Sequence, residues 1–144
     1  MNETVQIKTP WLASKDPEVP STLNYSTLSM CGRVEEMVRQ YPNYIAYEFM
    51  GKTTTYAEMW QKINACAKSL KAIGIREGDK VTICMPNAPQ TLCMFYAVNM
   101  VGAIANMVHP LSAESEISFY LRDSNSVAAI TLDQFYPKFE SVPK

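Results

Sequence analysis

Two side chains that could do chemistry in this sequence follow directly on predicted strands. Asn87 and His109 each come just after an apolar, β-forming run, and α/β proteins bind ligands at the carboxyl ends of strands. An amide at that place could orient a substrate, and a histidine could act as an acid or a base. We favour non-catalytic roles for both: Asn87 as the cap of the next helix, and His109, which precedes Pro110, in a structural or surface role.

A pair of carboxylates, Glu114 and Glu116, stands near the start of another predicted helix. Two residues apart on a helix, the side chains diverge, and negative charge near a helix N-terminus is favourable by itself. We therefore interpret them as charges that stabilise the helix. The nine methionines, among them Met94, Met100 and Met107, could line a lipid pocket, but we favour adaptable core packing.

The four cysteines carry none of the spacing that zinc sites show. Cys31, Cys66, Cys84 and Cys93 include no C-x-x-C pair and have no flanking histidine. Each falls within an apolar pattern, so we expect four small buried side chains, reduced in a cytoplasmic protein. Because His109 is the single histidine, one copy of the chain cannot form a His-rich metal site or a relay of two histidines.

The sequence lacks the common phosphate-binding and nucleophile motifs. The run ending at Met85 continues Pro-Asn-Ala-Pro instead of G-x-G-x-x-G, and neither G-x-x-x-x-G-K-[ST] nor G-x-S-x-G occurs. A formal net charge of −1 without a basic stripe gives no support for nucleic acid as a partner. We therefore assign no catalytic, cofactor-binding or metal-ligating residue to these 144 residues.

A long uncharged stretch, residues 81–113, raises the question of a membrane span. Prolines and asparagines interrupt it, and its longest apolar run, residues 92–98, is far shorter than the roughly 20 residues that a bilayer requires. The N-terminus also lacks the apolar core of a signal peptide. We therefore expect a buried strand–helix–strand unit in a cytoplasmic protein without a transmembrane segment.

The first elements predicted to position these residues are an arm and a helix. Residues 1–26 contain three prolines and predict an extended N-terminal arm, which Trp11 and Tyr25 would anchor to a neighbouring surface. From Thr27 to Tyr41, apolar residues recur at three- and four-residue steps, which predicts a helix.

A small β-hairpin and a well-delimited helix come next. Residues 44–50 form the first predicted strand, and Gly51-Lys52 suits a type II′ turn with glycine at its first central position. Thr55 and Glu58 match the capping-box pattern that opens a helix. Gly74 is placed to close that helix in a left-handed conformation, with Ile75 folding back onto the last turn.

Strands and helices alternate in the rest of the sequence. Residues 80–85, 103–108 and 127–132 read as strands, and helices are predicted between them. The second of these helices begins near Ser112, with Ile117, Tyr120 and Leu121 on its inner face, and Asp133 is a candidate cap for a terminal helical stretch. Such alternation predicts an α/β fold: a parallel sheet with right-handed crossovers and flanking helices.

Short motifs in a fixed order between about Leu28 and Thr131 resemble the adenylate-forming (AMP-binding) superfamily. They are T-Y-x-E-(M/L)-x-x-x-x-N, L-x-x-x-G-(I/V)-x-x-G-D-x-V, (M/L)-P-N, G-A and (N/H)-P. The resemblance implies that residues 27–144 are the first α/β subdomain of an adenylation domain, ending before the ATP-binding motifs. It also implies a parent enzyme that uses ATP, Mg²⁺ and CoA to convert a small-molecule carboxylate into an acyl-adenylate and then an acyl-CoA.

Within that superfamily, an acyl-CoA synthetase for fatty-acyl or related carboxylates is our first interpretation. A fragment of a peptide-synthetase-type adenylation domain and a non-catalytic α/β binding module both remain open. If the 144 residues are a fragment, we expect them to be inactive alone and to self-associate through exposed apolar faces.

Overall fold

The computed structural model describes residues 9–140, in which helices and strands alternate along most of the chain. Strands β1 and β2 form an antiparallel hairpin, and β3, β4 and β5 form a separate parallel sheet. The α/β prediction is thereby confirmed. Short 3-10 helices cover Pro10–Ser14 and Asp133–Phe135, and the other elements are α1 (Met30–Gln40), β1 (Ile45–Phe49), β2 (Lys52–Thr55), α2 (Tyr56–Ala72), β3 (Lys80–Cys84), α3 (Pro89–Met100), β4 (Ile104–Met107), α4 (Glu114–Asp123), β5 (Ala128–Thr131) and α5 (Pro137–Glu140).

The segment before α1 differs from the prediction in two ways. Trp11 and Tyr25 are 62% and 84% exposed, so neither anchors the arm within the described residues. The predicted start of α1 at Thr27 is also wrong, because Ser29 is the cap and its hydroxyl accepts a hydrogen bond from the Gly32 N–H at 3.0 Å. Part of the predicted arm, residues 1–8, lies outside the described residues.

The hairpin forms where the sequence predicts it, but its turn is of another type. The pairing of Phe49 with Lys52 leaves Met50 and Gly51 as the two central residues. Both have positive φ, 50° and 77°, which defines a type I′ turn. The type II′ assignment was wrong because it placed Gly51 one position too early in the turn.

Helix α2 begins and ends as the sequence predicts. At its start, the Thr55 N–H donates to the Glu58 carboxylate at 2.8 Å and the Glu58 N–H donates to the Thr55 hydroxyl at 3.3 Å. At its end, Gly74 has φ +95°, and the Ile75 N–H donates to the Leu70 carbonyl at 3.0 Å. This is the Schellman closure, and it buries Ile75 against the helix that it terminates.

The parallel sheet has the order β4-β3-β5, with a different helical layer on each face. Val81 and Ile83 are fully buried in a core cluster that they share with side chains of α2 and α3. Their neighbours point to the opposite face, since side chains alternate along a strand, and Cys84 there packs with Ile117 of α4. Ile117 is fully buried as predicted, but Tyr120 is 40% exposed and does not belong to the inner face.

The apolar helix α3 is covered on several sides, as its composition requires. It packs against α1, α2, β3 and β4. Among residues 9–140, no helix combines the length and the apolar character needed to cross a membrane.

Candidate functional site

The order of the strands creates a crevice at one edge of the sheet. From β3 the chain passes to β4 on one side and then to β5 on the other, so the direction of winding reverses between β3 and β5. Ligands of open α/β sheets bind outside the carboxyl ends of strands at such a reversal. A cavity of about 430 Å³, here called the carboxyl-end cavity, lies there, and its lining includes Met85, Asn87, Met107, His109, Gln134 and Phe135.

Asn87 lies at this cavity as an exposed side chain, and it caps no helix. Helix α3 begins at Pro89, whose fixed φ suits the first helical position, so the cap position falls on Ala88. The entry to the helix is held instead by the Thr91 hydroxyl, which donates to the Pro86 carbonyl at 2.6 Å. The predicted capping role of Asn87 is therefore wrong, and the residue lines the cavity instead.

His109 follows β4 and lines the same cavity as Asn87. Its side chain is exposed, as predicted, and its Nδ1 accepts a hydrogen bond from the Leu111 N–H at 3.2 Å. In this arrangement neutral His109 carries its proton on Nε2, which is then a donor. The Lys138 ammonium fixes the loop that carries His109 by donating to the carbonyls of Pro110 and Ser112 at 3.0 and 2.8 Å.

A second cavity, of about 390 Å³ and here called the hairpin cavity, adjoins the first. Asn87 and Met107 line both, so the two form one groove from the hairpin to the loop after β4. Its other lining side chains are mainly apolar and include Tyr47, Phe49, Leu92 and Phe95. The groove therefore presents a long apolar surface, with Asn87 where the two cavities join and His109 in the carboxyl-end cavity, which suits a largely apolar organic ligand that also carries a polar group.

The groove supplies hydrogen-bonding groups through Asn87 and His109. Among the described residues, no cluster of three His, Cys, Asp or Glu side chains could hold a metal ion. Asn87 and His109 can orient a ligand by donating hydrogen bonds. The absence of assigned catalytic, cofactor-binding and metal-ligating residues remains a prediction.

The other candidate residues have structural positions. Glu116 accepts a hydrogen bond from the Ala113 N–H at 2.9 Å, which stabilises the start of α4. Asp133 is the first residue of the second 3-10 helix and not its cap, which is Leu132, so the predicted capping role is wrong; its carboxylate accepts from the Gln134 N–H at 2.9 Å.

The cysteines are unpaired, and three of the four are buried as predicted: Cys31, Cys84 and Cys93. Cys66 is only partly buried. Burial raises the pKa of all four thiols above the ordinary value of 9.0.

Sequence reasoning missed Gln134, Phe135 and Met107 as parts of the groove. Met107 is 51% exposed, so the interpretation of this methionine as core was wrong. Gln134 and Phe135 follow β5, as Asn87 follows β3. The signal that could have found them was this shared position after parallel strands.

Comparison with known proteins identifies relatives of this architecture. The family model described as AMP-binding enzyme matches residues 34–143. The long-chain-fatty-acid–CoA ligase of Bacillus subtilis (strain 168) is 31% identical over 134 residues, which are 93% of this chain and 24% of that protein. Long-chain-fatty-acid–CoA ligase FadD13 of Mycobacterium tuberculosis (strain H37Rv) is 42% identical over 76 residues, 53% of this chain and 15% of the relative.

Solved structures show the same fold. The N-terminal domain of FACL13 from Mycobacterium tuberculosis, with a bound inhibitor, matches with a TM-score of 0.64 and 27% identity, over 76% of this chain and 35% of that one. The anthranilate CoA ligase AuaEII, in complex with anthranoyl-AMP, gives a TM-score of 0.74 at 23% identity, over 78% of this chain and 22% of that one. The chain thus spans about a quarter or less of the curated relatives named here.

Proposed function

Since this chain belongs to the AMP-binding enzyme family, we propose that it forms the N-terminal portion of an AMP-forming acyl-CoA synthetase. Residues 27–144 are the first part of the adenylation domain in this proposal, and residues 1–26 are an arm that precedes it. The observation that carries the proposal is the 31% identity, over 93% of the chain, to a long-chain-fatty-acid–CoA ligase.

The proposed reaction has two steps. The carboxylate of the substrate attacks ATP to give an acyl-adenylate and pyrophosphate, and the thiol of CoA then displaces AMP to give the acyl-CoA. A fatty acid or a related carboxylate is the proposed substrate, because two relatives with that specificity match long parts of the chain. The apolar groove agrees with a substrate or partner of that character.

In this proposal the 144 residues form part of the structural scaffold of the adenylation domain. The rest of the enzyme contributes the groups that bind ATP and catalyse the reaction. Adenylation needs donors around the developing phosphate charge and a cation to neutralise it. Within residues 9–140, no cluster of three carboxylate, histidine or cysteine side chains is placed to hold Mg²⁺. We accordingly propose that the 144 residues alone do not catalyse adenylation, and that the whole enzyme acts in the cytoplasm.

The test uses the entire open reading frame that contains these residues. The purified product is assayed for carboxylate-dependent exchange between ATP and pyrophosphate with fatty acids, aryl acids and amino acids, and for acyl-CoA formation. Fatty-acid-dependent exchange together with a CoA thioester is the expected result. Exchange with amino acids and no CoA thioester would replace the proposal with a peptide-synthetase-type adenylation domain.

The same assay on the isolated 144 residues tests the proposal that they do not catalyse adenylation by themselves. We expect no exchange above a control without protein. Exchange by the isolated chain would overturn the claim that it lacks catalytic machinery. A freestanding binding module predicts no exchange from either protein and a stop codon directly after Lys144.

A further inference from the structure

A cavity of about 270 Å³ between α2 and α3, here called the sulfur cavity, has an unusual lining. It is bounded by Lys62 and Cys66 of α2 and by Pro89, Gln90, Cys93 and Met94 of α3. Three of these six side chains end in or contain sulfur. The family match and the proposed ligase activity assign no role to this cavity.

The packing of α2 on α3 brings these residues to one cavity. Lys62 and Cys66 are four residues apart on α2, so they lie on one face of that helix, and Cys93 and Met94 lie on the surface of α3 that borders the same cavity. No local sequence pattern indicates this cluster, because Cys66 and Cys93 are 27 residues apart and belong to different helices.

Both thiols are free and line the same cavity. Cys93 is buried to 4% exposure and Cys66 is only partly buried, so Cys66 provides the accessible side of the site. Burial raises the pKa of the Cys93 thiol, and the charge of Cys66 raises it further. The Lys62 ammonium acts in the opposite direction by favouring the thiolate.

We propose that Cys66, Cys93 and Met94 form a binding site for a soft monovalent metal ion, Cu(I). Thiolate and thioether sulfurs are the ligands that Cu(I) prefers. Binding replaces the two thiol protons, which pass to solvent, and leaves a complex with a net charge of −1 beside the Lys62 ammonium. Structural zinc fits less well, since it takes four ligands in a tetrahedron and the cavity offers three sulfurs.

The test titrates the reduced full chain with Cu(I) in the absence of oxygen, against a chromophoric Cu(I) chelator as competitor. One ion per chain is expected. Because loss of even an outer-shell partner costs about 10- to 100-fold in metal affinity, Cys66→Ser and Cys93→Ser should each weaken binding by at least about tenfold. Met94→Leu should weaken binding by a smaller factor.

Cys31→Ser is the matched control, because Cys31 is a buried cysteine of α1 that does not line the sulfur cavity. It should bind Cu(I) as the unmodified chain does. Circular dichroism checks each variant for folding, and Cys66→Ser and Met94→Leu decide the test if Cys93→Ser unfolds. Unchanged affinity in Cys66→Ser, or an equal loss in Cys31→Ser, would overturn the proposal.

Discussion

The hydroxyl oxygens of Thr82 and Ser126 lie 2.7 Å apart, although the two residues are separated by 44 positions. The Asn106 amide extends this contact into a network by donating to the Thr82 hydroxyl at 2.9 Å and to the Ser124 hydroxyl at 3.1 Å, and the Ser124 and Ser126 hydroxyl oxygens lie 2.7 Å apart. β3, β4 and the turn before β5 are thus connected by side chains as well as by the backbone. Thr82 is fully buried, so its hydroxyl depends on these partners.

Replacing Thr82 with valine should destabilise the chain, because the shape is kept while the hydroxyl that links Asn106 and Ser126 is lost. Polar partners left without a hydrogen bond cost about 1–3 kcal/mol. The free energy of unfolding in urea measures the loss. Thr53→Val is the control, since Thr53 is exposed on β2 and a surface change should stay within about 0.5 kcal/mol. Equal stability of both variants would show that the network contributes nothing.

Glu58 should make the stability depend on pH in the acid range. The Thr55 N–H, which donates to the Glu58 carboxylate at 2.8 Å, holds the pKa of that carboxyl below its ordinary value of 4.5. Its contribution is therefore complete above about pH 4.5 and is lost as the pH falls through the lower, folded pKa. The free energy of unfolding is measured in urea from about pH 3 to 7, which is roughly the range in which carboxyl groups titrate. The loss of stability at acid pH should be smaller in Glu58→Gln and unchanged in the control variant Glu48→Gln. A retained loss in Glu58→Gln would contradict the assignment.

Gly74 and Gly102 should respond to alanine to different extents. Both have positive φ, +95° and +81°, where an L-residue costs about 1–2 kcal/mol. A Cβ on Gly74 would meet no atom of residues 9–140 within 4 Å, whereas a Cβ on Gly102 would lie 3.0 Å from Glu77 Cγ. The free energy of unfolding should therefore fall for Gly74→Ala and fall further for Gly102→Ala. The reverse order would show that the contact with Glu77 relaxes at no cost.

The isolated 144 residues should self-associate through the β4 edge of the sheet. In the part of the chain that the structure describes, β4 has one neighbouring strand, and Ile104 and Met107 on it are 52% and 51% exposed. Exposed strand edges with apolar side chains pair readily, and a charge on the edge suppresses this. Sedimentation velocity should show oligomers that Ile104→Lys reduces and that Ile73→Lys, a change at an exposed residue after α2, leaves in place. A monodisperse monomer before any substitution would favour the freestanding module.

Several local features were predictable residue by residue. The capping box of Thr55 and Glu58 and the closure at Gly74 follow from hydrogen bonds within a few residues, so a short window contains the whole cause. Two wrong predictions, the cap at Asn87 and the type II′ turn, also have causes that lie within a few residues. Pro89 at the first helical position moved the cap from Asn87 to Ala88, and positive φ at Met50 changed the turn type.

The sequence by itself determined the alternation of elements and the family, because motif order and periodicity are properties of neighbouring residues. Only the tertiary structure decided which side chains meet. The order β4-β3-β5 brings Asn87, His109 and Gln134 to one cavity. The packing of α2 on α3 brings Cys66 and Cys93 to another. Such meetings depend on strand order and helix packing over tens of residues, which no local pattern encodes.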